Sequence, residues 1–505
     1  MDSITVLLTA LASALMLYAW ARQTRASAIP YHPGPKGWPL IGNALDVPQV
    51  RPSETYLEWS RIYGPVVHLN VFGKSMVVLN TAKAAHDLLD ARSAIYSDRP
   101  RMLMSSMLGM EWNMAMMPYG PTWRKQRRVF HKYLSEEAIK PYQPLQTQKA
   151  RKLLALLAKD SKNFMEHSRL ITGATILELV YGECAEDPDH PYLKNAQDAV
   201  VSSLEAFLPG NLMVEFLPFL RYMPSWFPGT EFKKKLPKWR SQMIALREFA
   251  SNDVNDTEKP SLVSRMLEEI ADLESQECAE EEAVAQNVSA IMHLTGADST
   301  WSTIRTFFLA MILYPDVQRK AQQELDRVVG AGRLPASPDS ASLPYIHAVL
   351  KECIRWFPAS SLGVAHAPSE DDVWLVRDLS ATVLIRYSRA ILHDPSVYPQ
   401  PYVFNPDRFL KNGKLNRDAP DPNSAAVGFG RRICPGRHFS DAMLFITIAS
   451  ILHVFSISPT LDERGSPVYP DVQLDSVVAP ISSYTPYDCI IKTRSRVAEQ
   501  LLCEC

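Results

Sequence analysis

Gly428-Phe429-Gly430-Arg431-Arg432-Ile433-Cys434-Pro435-Gly436 is the stretch on which the reading of this chain turns. A cysteine that binds a metal as its thiolate needs backbone packed close to the sulfur and N–H donors turned toward it. Glycines on both sides of Cys434 permit that approach, because a residue without Cβ reaches conformations closed to the others. Arg432, two residues before the cysteine, offers a fixed fork of donors suited to a carboxylate. A lone loop cysteine is more often a buried structural thiol, so the case has to come from the sequence around it.

Upstream, Glu352-Cys353-Ile354-Arg355 sits in a helical pattern from Leu343 to Trp356, stopped by Pro358. The i, i+3 spacing puts Glu352 and Arg355 on one helix face. Phe404-Asn405-Pro406-Asp407-Arg408-Phe409 follows as a turn. Alone, either segment is a short match that arises often by chance and is more often an exposed helix ion pair. Further upstream, residues 281–313 keep helical periodicity for about nine turns, enough to cross a domain. Within that run lies Thr295-Gly296-Ala297-Asp298-Ser299-Thr300, a glycine beside polar side chains, where a helix can open locally. Charged and amphipathic residues 316–329 form another predicted helix, ended by Gly330, and a helix follows Cys434 over about 438–454. Val66 to Asn80 alternates β-branched residues around Gly73-Lys74, a hairpin signature. The expected fold is mainly α with minor β sheets.

The 505 residues are 46% hydrophobic and 21% charged, with a formal charge of −2. This is a globular composition with no global attraction to nucleic acid. The seven cysteines (184, 278, 353, 434, 489, 503 and 505) are scattered and odd in number. They suggest neither a disulfide framework nor a zinc site, and they fit a reducing compartment. Ile4 to Trp20 is an uncharged apolar run with Arg22 and Arg25 after it. It reads as a single transmembrane helix with the body of the chain on the cytosolic side. A cleaved signal peptide would carry its basic residues before the run. Prolines 30, 33, 35 and 39 then stiffen a spacer. The expected division is an anchor at 1–21, a proline-rich spacer at 22–43 and a catalytic domain at 44–505.

Taken together in this order, these motifs make the chain resemble the cytochrome P-450 superfamily over nearly its whole length after the anchor. Within it, the likeness is to the fungal, endoplasmic-reticulum-bound members, near the group of O-methylsterigmatocystin oxidoreductase. The resemblance implies the P-450 fold and haem b with Cys434 as axial iron ligand. It also implies a buried network of Glu352, Arg355 and Arg408 behind the haem. Trp123 and Arg127, in Tyr119-Gly120-Pro121-Thr122-Trp123-Arg124-Lys125-Gln126-Arg127-Arg128, match the family's WxxxR motif. By that likeness Trp123, Arg127, Arg432, His366 and Arg99 reach the haem propionates, Asp298 gates protons, and Ser299 with Thr300 forms the relay. The implied reaction is insertion of one atom of O2 into a C–H or C=C bond. Electrons would come from NADPH through a separate NADPH-cytochrome reductase, since no flavin or nicotinamide module is evident. Lys125, Arg128 and Lys132 would be either its docking face or a solvated basic surface.

The substrate side is apolar. Residues 102–117 hold seven methionines and Trp112, and by resemblance they form a pliable loop over the distal pocket beside Ile291, Leu294 and Thr295. The plainer but less favoured reading of the same methionines is core filler. Phe207 to Phe227 is aromatic and proline-broken, suited to membrane lipid. A lipophilic small molecule of terpenoid or polyketide type, in fungal secondary metabolism, is the expected substrate. Departures from the family pattern are Val427 beside the thiolate, Ser299 for threonine, the bulkier Thr295, and residues 374–382, which lack the usual glycine turn. They leave open a reductase-independent haem-thiolate isomerase or dehydratase, or an impaired haem-binding membrane protein.

Overall fold

The computed structural model describes residue 13 and residues 30–48, 52–208, 210–252, 260–374, 377–379, 382–471, 474–475 and 483–503. Apart from residue 13, the predicted anchor lies outside these, as does the first part of the spacer. Among the described residues no helix is long and apolar enough to cross a membrane.

The hairpin forms where the alternation placed it. Strands β1 (Val66–Val71) and β2 (Lys74–Leu79) pair antiparallel, with Val71 opposite Lys74. The two turn residues, Phe72 and Gly73, both have positive φ, which matches the twist of a two-residue hairpin. A later strand, β5 (Val383–Arg386), runs parallel to β2 and completes a three-stranded sheet. Between them in sequence, β3 (Val373–Trp374) pairs with β4 (Arg377–Asp378). That short hairpin forms without the glycine turn, and residues 375, 376, 380 and 381 lie outside the described set.

The helices that build the site are, in chain order, α1 (Leu103–Leu108), α2 (Pro121–Leu134), α3 (Phe164–Tyr181), α4 (Phe232–Asn252), α5 (Ser275–Leu313), α6 (Pro344–Trp356), α7 (Asn423–Ala426) and α8 (Arg437–Val454). Helix α5 has 39 residues and so runs about 58 Å at 1.5 Å per residue. It begins six residues before its predicted start at Glu281.

Two apolar cores share this helix. Its first half packs Val288, Ile291 and Leu294 with the methionine segment, α2, α3 and α4. Its second half packs Ile304 to Ile312 with α6 and α8. A helix apolar on nearly every side is stable only when enclosed. Thus α5 is the shared wall of both halves, and residues 295–300 lie where the two cores meet.

Candidate active site

The loop after α7 is shaped by its glycines. Gly428 (φ +96°) and Gly430 (φ +51°) occupy the left-handed region that costs other residues steric energy. A Cβ on Gly430 would stand 2.3 Å from the Leu89 carbonyl oxygen, so no other residue fits without backbone movement. The Cys434 N–H donates to the Val427 carbonyl at 2.8 Å, closing the loop on itself. Burial pushes the thiol up, while Gly436, Arg127 and Arg437 favour the thiolate. The side chain keeps accessible surface although protein surrounds it closely, which is how a group on an internal space presents itself. A coordinating metal would remove the thiol proton outright.

Around this loop the structure gathers cations. Arg432 donates to the carbonyls of Ser97, Met114 and Met117 at 2.8–3.0 Å, and its guanidinium lies 4.6 Å over the Trp123 ring. Arg99 donates to Ala115, Val364 and Ala365. His366 donates through Nδ1 to the Tyr96 carbonyl at 2.7 Å. Burial lowers the pKa of all three, and mutual repulsion adds to this for Arg99 and His366. Among the described residues none of the three forms an ion pair with a carboxylate. A buried cluster of this charge calls for an anion. The two propionates of haem b, beside a thiolate loop, meet that demand, and so the residues present fit the group. Arg127 donates to the Ile433 carbonyl at 2.6 Å and lines a cleft with His131, Pro435, Arg437 and His438, so it also braces the Cys434 loop.

Glu352 and Arg355 are wholly buried. Arg355 donates to both Glu352 oxygens at 2.7 and 2.8 Å and to the Leu392 carbonyl. Arg408 reaches the same carboxylate at 3.2 Å, and the Asn405 N–H adds a bond of 2.8 Å. The three network residues meet as the motif order implied.

The Asp298 segment behaves otherwise. Asp298 turns to α3, where Arg169 Nη2 is 3.3 Å away. Burial raises its pKa and Arg169 opposes the rise. The Ser299 hydroxyl donates back to the Thr295 carbonyl at 3.4 Å. Thr300 is buried, and its hydroxyl lies between the Gly296 carbonyl and Ser440 of α8. The three predicted relay residues therefore point in three directions. Thr295 is exposed between buried turns of α5, the mark of a side chain on an internal space. The expected local opening at Gly296 is absent, and α5 stays helical throughout. The glycine serves packing instead: a Cβ there would lie 2.9 Å from Ile176 Cδ1 of α3.

The methionines divide between the two roles. Met104, Met110 and Met114 are buried core, while Met102, Met107, Met116 and Met117 pack half-exposed against it. Helix α1 is held at both ends. Glu215 accepts from the Leu103 and Met104 N–H groups at 2.9 and 2.7 Å, and Arg240 of α4 donates to the Met107 carbonyl. Of the basic face, Lys125 pairs with Glu281 at 2.9 Å and Lys132 pairs with Glu269, while Arg128 stays exposed. Arg169, Glu215 and Arg386 were not foreseen. Each acts on a group more than 35 residues away in sequence, and no local spacing encodes that.

A thiolate loop, a buried cation cluster and a long helix walling an internal space define a haem-thiolate enzyme of mainly helical architecture. The chain belongs to the cytochrome P450 family, whose model matches residues 32–484. Cytochrome P450 monooxygenase COX2 of Coprinopsis cinerea is 38% identical over 92% of this chain and 89% of the relative. COX1 of the same fungus is 36% identical over 98% of each. A cytochrome P450 monooxygenase of Armillaria gallica is 36% identical over 97% of each. This chain is accordingly an oxidoreductase of the monooxygenase class. It binds haem b through a cysteine thiolate and uses O2, a small-molecule substrate and a redox partner.

Proposed function

We propose that Cys434 is the axial ligand of haem b and that Trp123, Arg127, Arg432, His366 and Arg99 enclose the haem edge. On this reading the enzyme hydroxylates or epoxidises a lipophilic small molecule of terpenoid or polyketide type in fungal secondary metabolism. It draws electrons from NADPH through a separate NADPH-cytochrome reductase. A single N-terminal helix anchors it in the endoplasmic reticulum, with the catalytic domain facing the cytosol. The observation that carries the ligand assignment is the Cys434 loop, closed on Val427 beside the cation cluster of Arg99, Arg432 and His366.

The bound haem supplies oxygen activation and insertion chemistry. The chain does the rest. On this reading Asp298, buried and paired with Arg169, gates the proton supply, and Ser299 with Thr300 forms the relay. The half-exposed methionines shape an apolar pocket and exclude water from it. Lipid contact is supported by Tyr222 and Trp226, 69% and 78% exposed, with Phe219, Trp38, Leu40 and Leu45 also exposed. Aromatic and leucine side chains of this kind favour the membrane interface. Arg128 is the basic residue left to meet an acidic reductase, since Lys125 and Lys132 already have carboxylate partners.

The test is a reduced, carbon monoxide-treated spectrum of the full chain beside Cys434→Ala, followed by NADPH oxidation with reductase in vesicles and a terpenoid and polyketide panel. Loss of the thiolate Soret band in the variant and substrate-dependent NADPH use in the wild type are expected. An unchanged spectrum in Cys434→Ala overturns the ligand assignment. A normal wild-type band with no reductase-driven product from any lipophile overturns the substrate class, and favours isomerisation or dehydration of an already oxygenated compound.

A further inference from the structure

Arg386 closes β5 and is almost wholly buried, at 7% exposure. Its Nη1 donates to the Ala425 carbonyl and to the Ser388 hydroxyl, and its Nη2 to the Ala426 carbonyl at 3.4 Å. Ser388 donates to the same Ala425 carbonyl at 3.1 Å. Ala425 and Ala426 end α7, and the next residue, Val427, accepts the Cys434 N–H. The guanidinium also lies 5.9 Å from the ring centre of Phe429, inside the ligand loop. Among the described residues no carboxylate pairs with it; the Cys434 thiol favours its charge, while Arg386 in turn disfavours the charges of Arg99 and His366.

A second position depends on this side chain. A Cβ on Gly363 would stand 2.4 Å from Arg386 Nε and 2.6 Å from its Cγ. The Gly363 backbone is outside the left-handed region, so conformation does not demand glycine there, whereas room for the guanidinium does. An aliphatic side chain would fill the same space without the several kcal/mol that desolvating a cation costs. Packing alone therefore gives no reason for this charge.

We propose that Arg386 is a positioning residue of the haem-thiolate centre. Its guanidinium fixes the carbonyls at which the ligand loop begins and so holds the cysteine in place, and its charge, unmatched by a carboxylate, favours the reduced haem. This rests on Cys434 being the ligand. The charge argument is Coulombic: a fixed cation in a low-dielectric site favours whichever redox state is more negative.

The experiment uses haem-loaded full chain as wild type, Arg386→Gln, Arg386→Lys and Gly363→Ala. It reads the ferric–ferrous midpoint by reductive titration, and the fraction of the reduced carbon monoxide complex absorbing at the thiolate rather than the thiol position. Arg386→Gln is expected to lower the ferrous-to-ferric ratio at fixed potential at least tenfold, about 59 mV for one electron, and to raise the thiol-type fraction. Gly363→Ala should shift both in the same direction with Arg386 still present. Arg386→Lys should keep the midpoint but lose thiolate stability, because one ammonium cannot span two carbonyls. Wild-type midpoint and thiolate fraction in Arg386→Gln overturn the proposal. Should that variant fail to load haem, unchanged values in both Gly363→Ala and Arg386→Lys overturn it. Cys434→Ala separates the two ideas, since a surviving thiolate band there sinks the ligand assignment whatever Arg386 does.

Discussion

Two buried carboxylate–arginine assemblies in this protein follow opposite rules. Glu352 receives four hydrogen bonds on two oxygens, from Arg355, Arg408 and the Asn405 N–H, and neither it nor Arg355 meets solvent. Asp298 has one arginine contact, at 3.3 Å, and Arg169 also stacks 4.9 Å over the Trp301 ring. The first is over-determined and can change only by breaking. The second, with one long contact, has room to rearrange. If Cys434 holds the haem and Asp298 gates protons as proposed, such a site needs both kinds.

The sharpest way to break the comparison is to remove a charge from the closed network. Glu352→Gln leaves Arg355 buried without its carboxylate, a change that typically costs about 3–5 kcal/mol. Soluble, haem-loaded protein should fall to a small fraction of wild type, as measured by thermal unfolding and haem absorbance per chain. If Glu352→Gln unfolds within a few degrees of wild type, the network is not the fixed element described.

A third buried polar group tests the same distinction through pH. His293 lies on α5 between the rings of Tyr181 and Phe249, with no hydrogen-bond partner at either ring nitrogen among the described residues, and burial lowers its pKa to about 4. The folded state thus favours neutral imidazole. The stability tied to this group is intact above pH 6.5 and is lost as pH falls from 6.5 toward 4. Over that window it amounts to about 3 kcal/mol, at 1.36 kcal/mol per unit. His293→Phe should flatten the acid limb of an unfolding titration, and an unaltered limb would remove His293 from the account.

Asp298 should respond in rate more than in stability. Asp298→Asn keeps the shape and removes the exchangeable proton. Product formation is expected to drop about 100- to 10,000-fold, the span of general acid catalysis, and the solvent isotope effect should rise. The unfolding temperature should stay within about 2 °C, because a half-exposed arginine partner makes the pair worth little. A large loss of stability with unchanged turnover would place Asp298 with Glu352 instead.

What the sequence makes legible follows the same division. Glu352 with Arg355, and Cys434 with its glycines, sit within a few residues of each other, so spacing alone displays their chemistry. The hairpin at Phe72-Gly73 is local in the same sense, and so is the stop of α6 before Pro358. Arg169 on Asp298, Glu215 on the α1 N-terminus and Arg386 on Ala425 join segments that only tertiary folding brings together. Lys125 shows the cost: an exposed basic stripe in sequence, it is matched by Glu281 from α5.

Gly296 gives the smallest effect and the finest test of how α5 is held. In sequence its place beside Asp298 and Ser299 suggests a helix that opens. In the fold it is the point where α5 meets Ile176 of α3, with α-helical hydrogen bonding continuous through it. The atom a new methyl would strike is the flexible end of an isoleucine, which can shift. Gly296→Ala should therefore cost about 1 kcal/mol from overpacking, offset in part by the gain in helix propensity. Removing Ile176 Cδ1 with Ile176→Val should restore the stability of Gly296→Ala, since the two residues share one contact and their effects must couple. Hinge-like opening predicts the reverse: Gly296→Ala would stiffen the helix, turnover would fall while stability rose, and Ile176→Val would rescue neither.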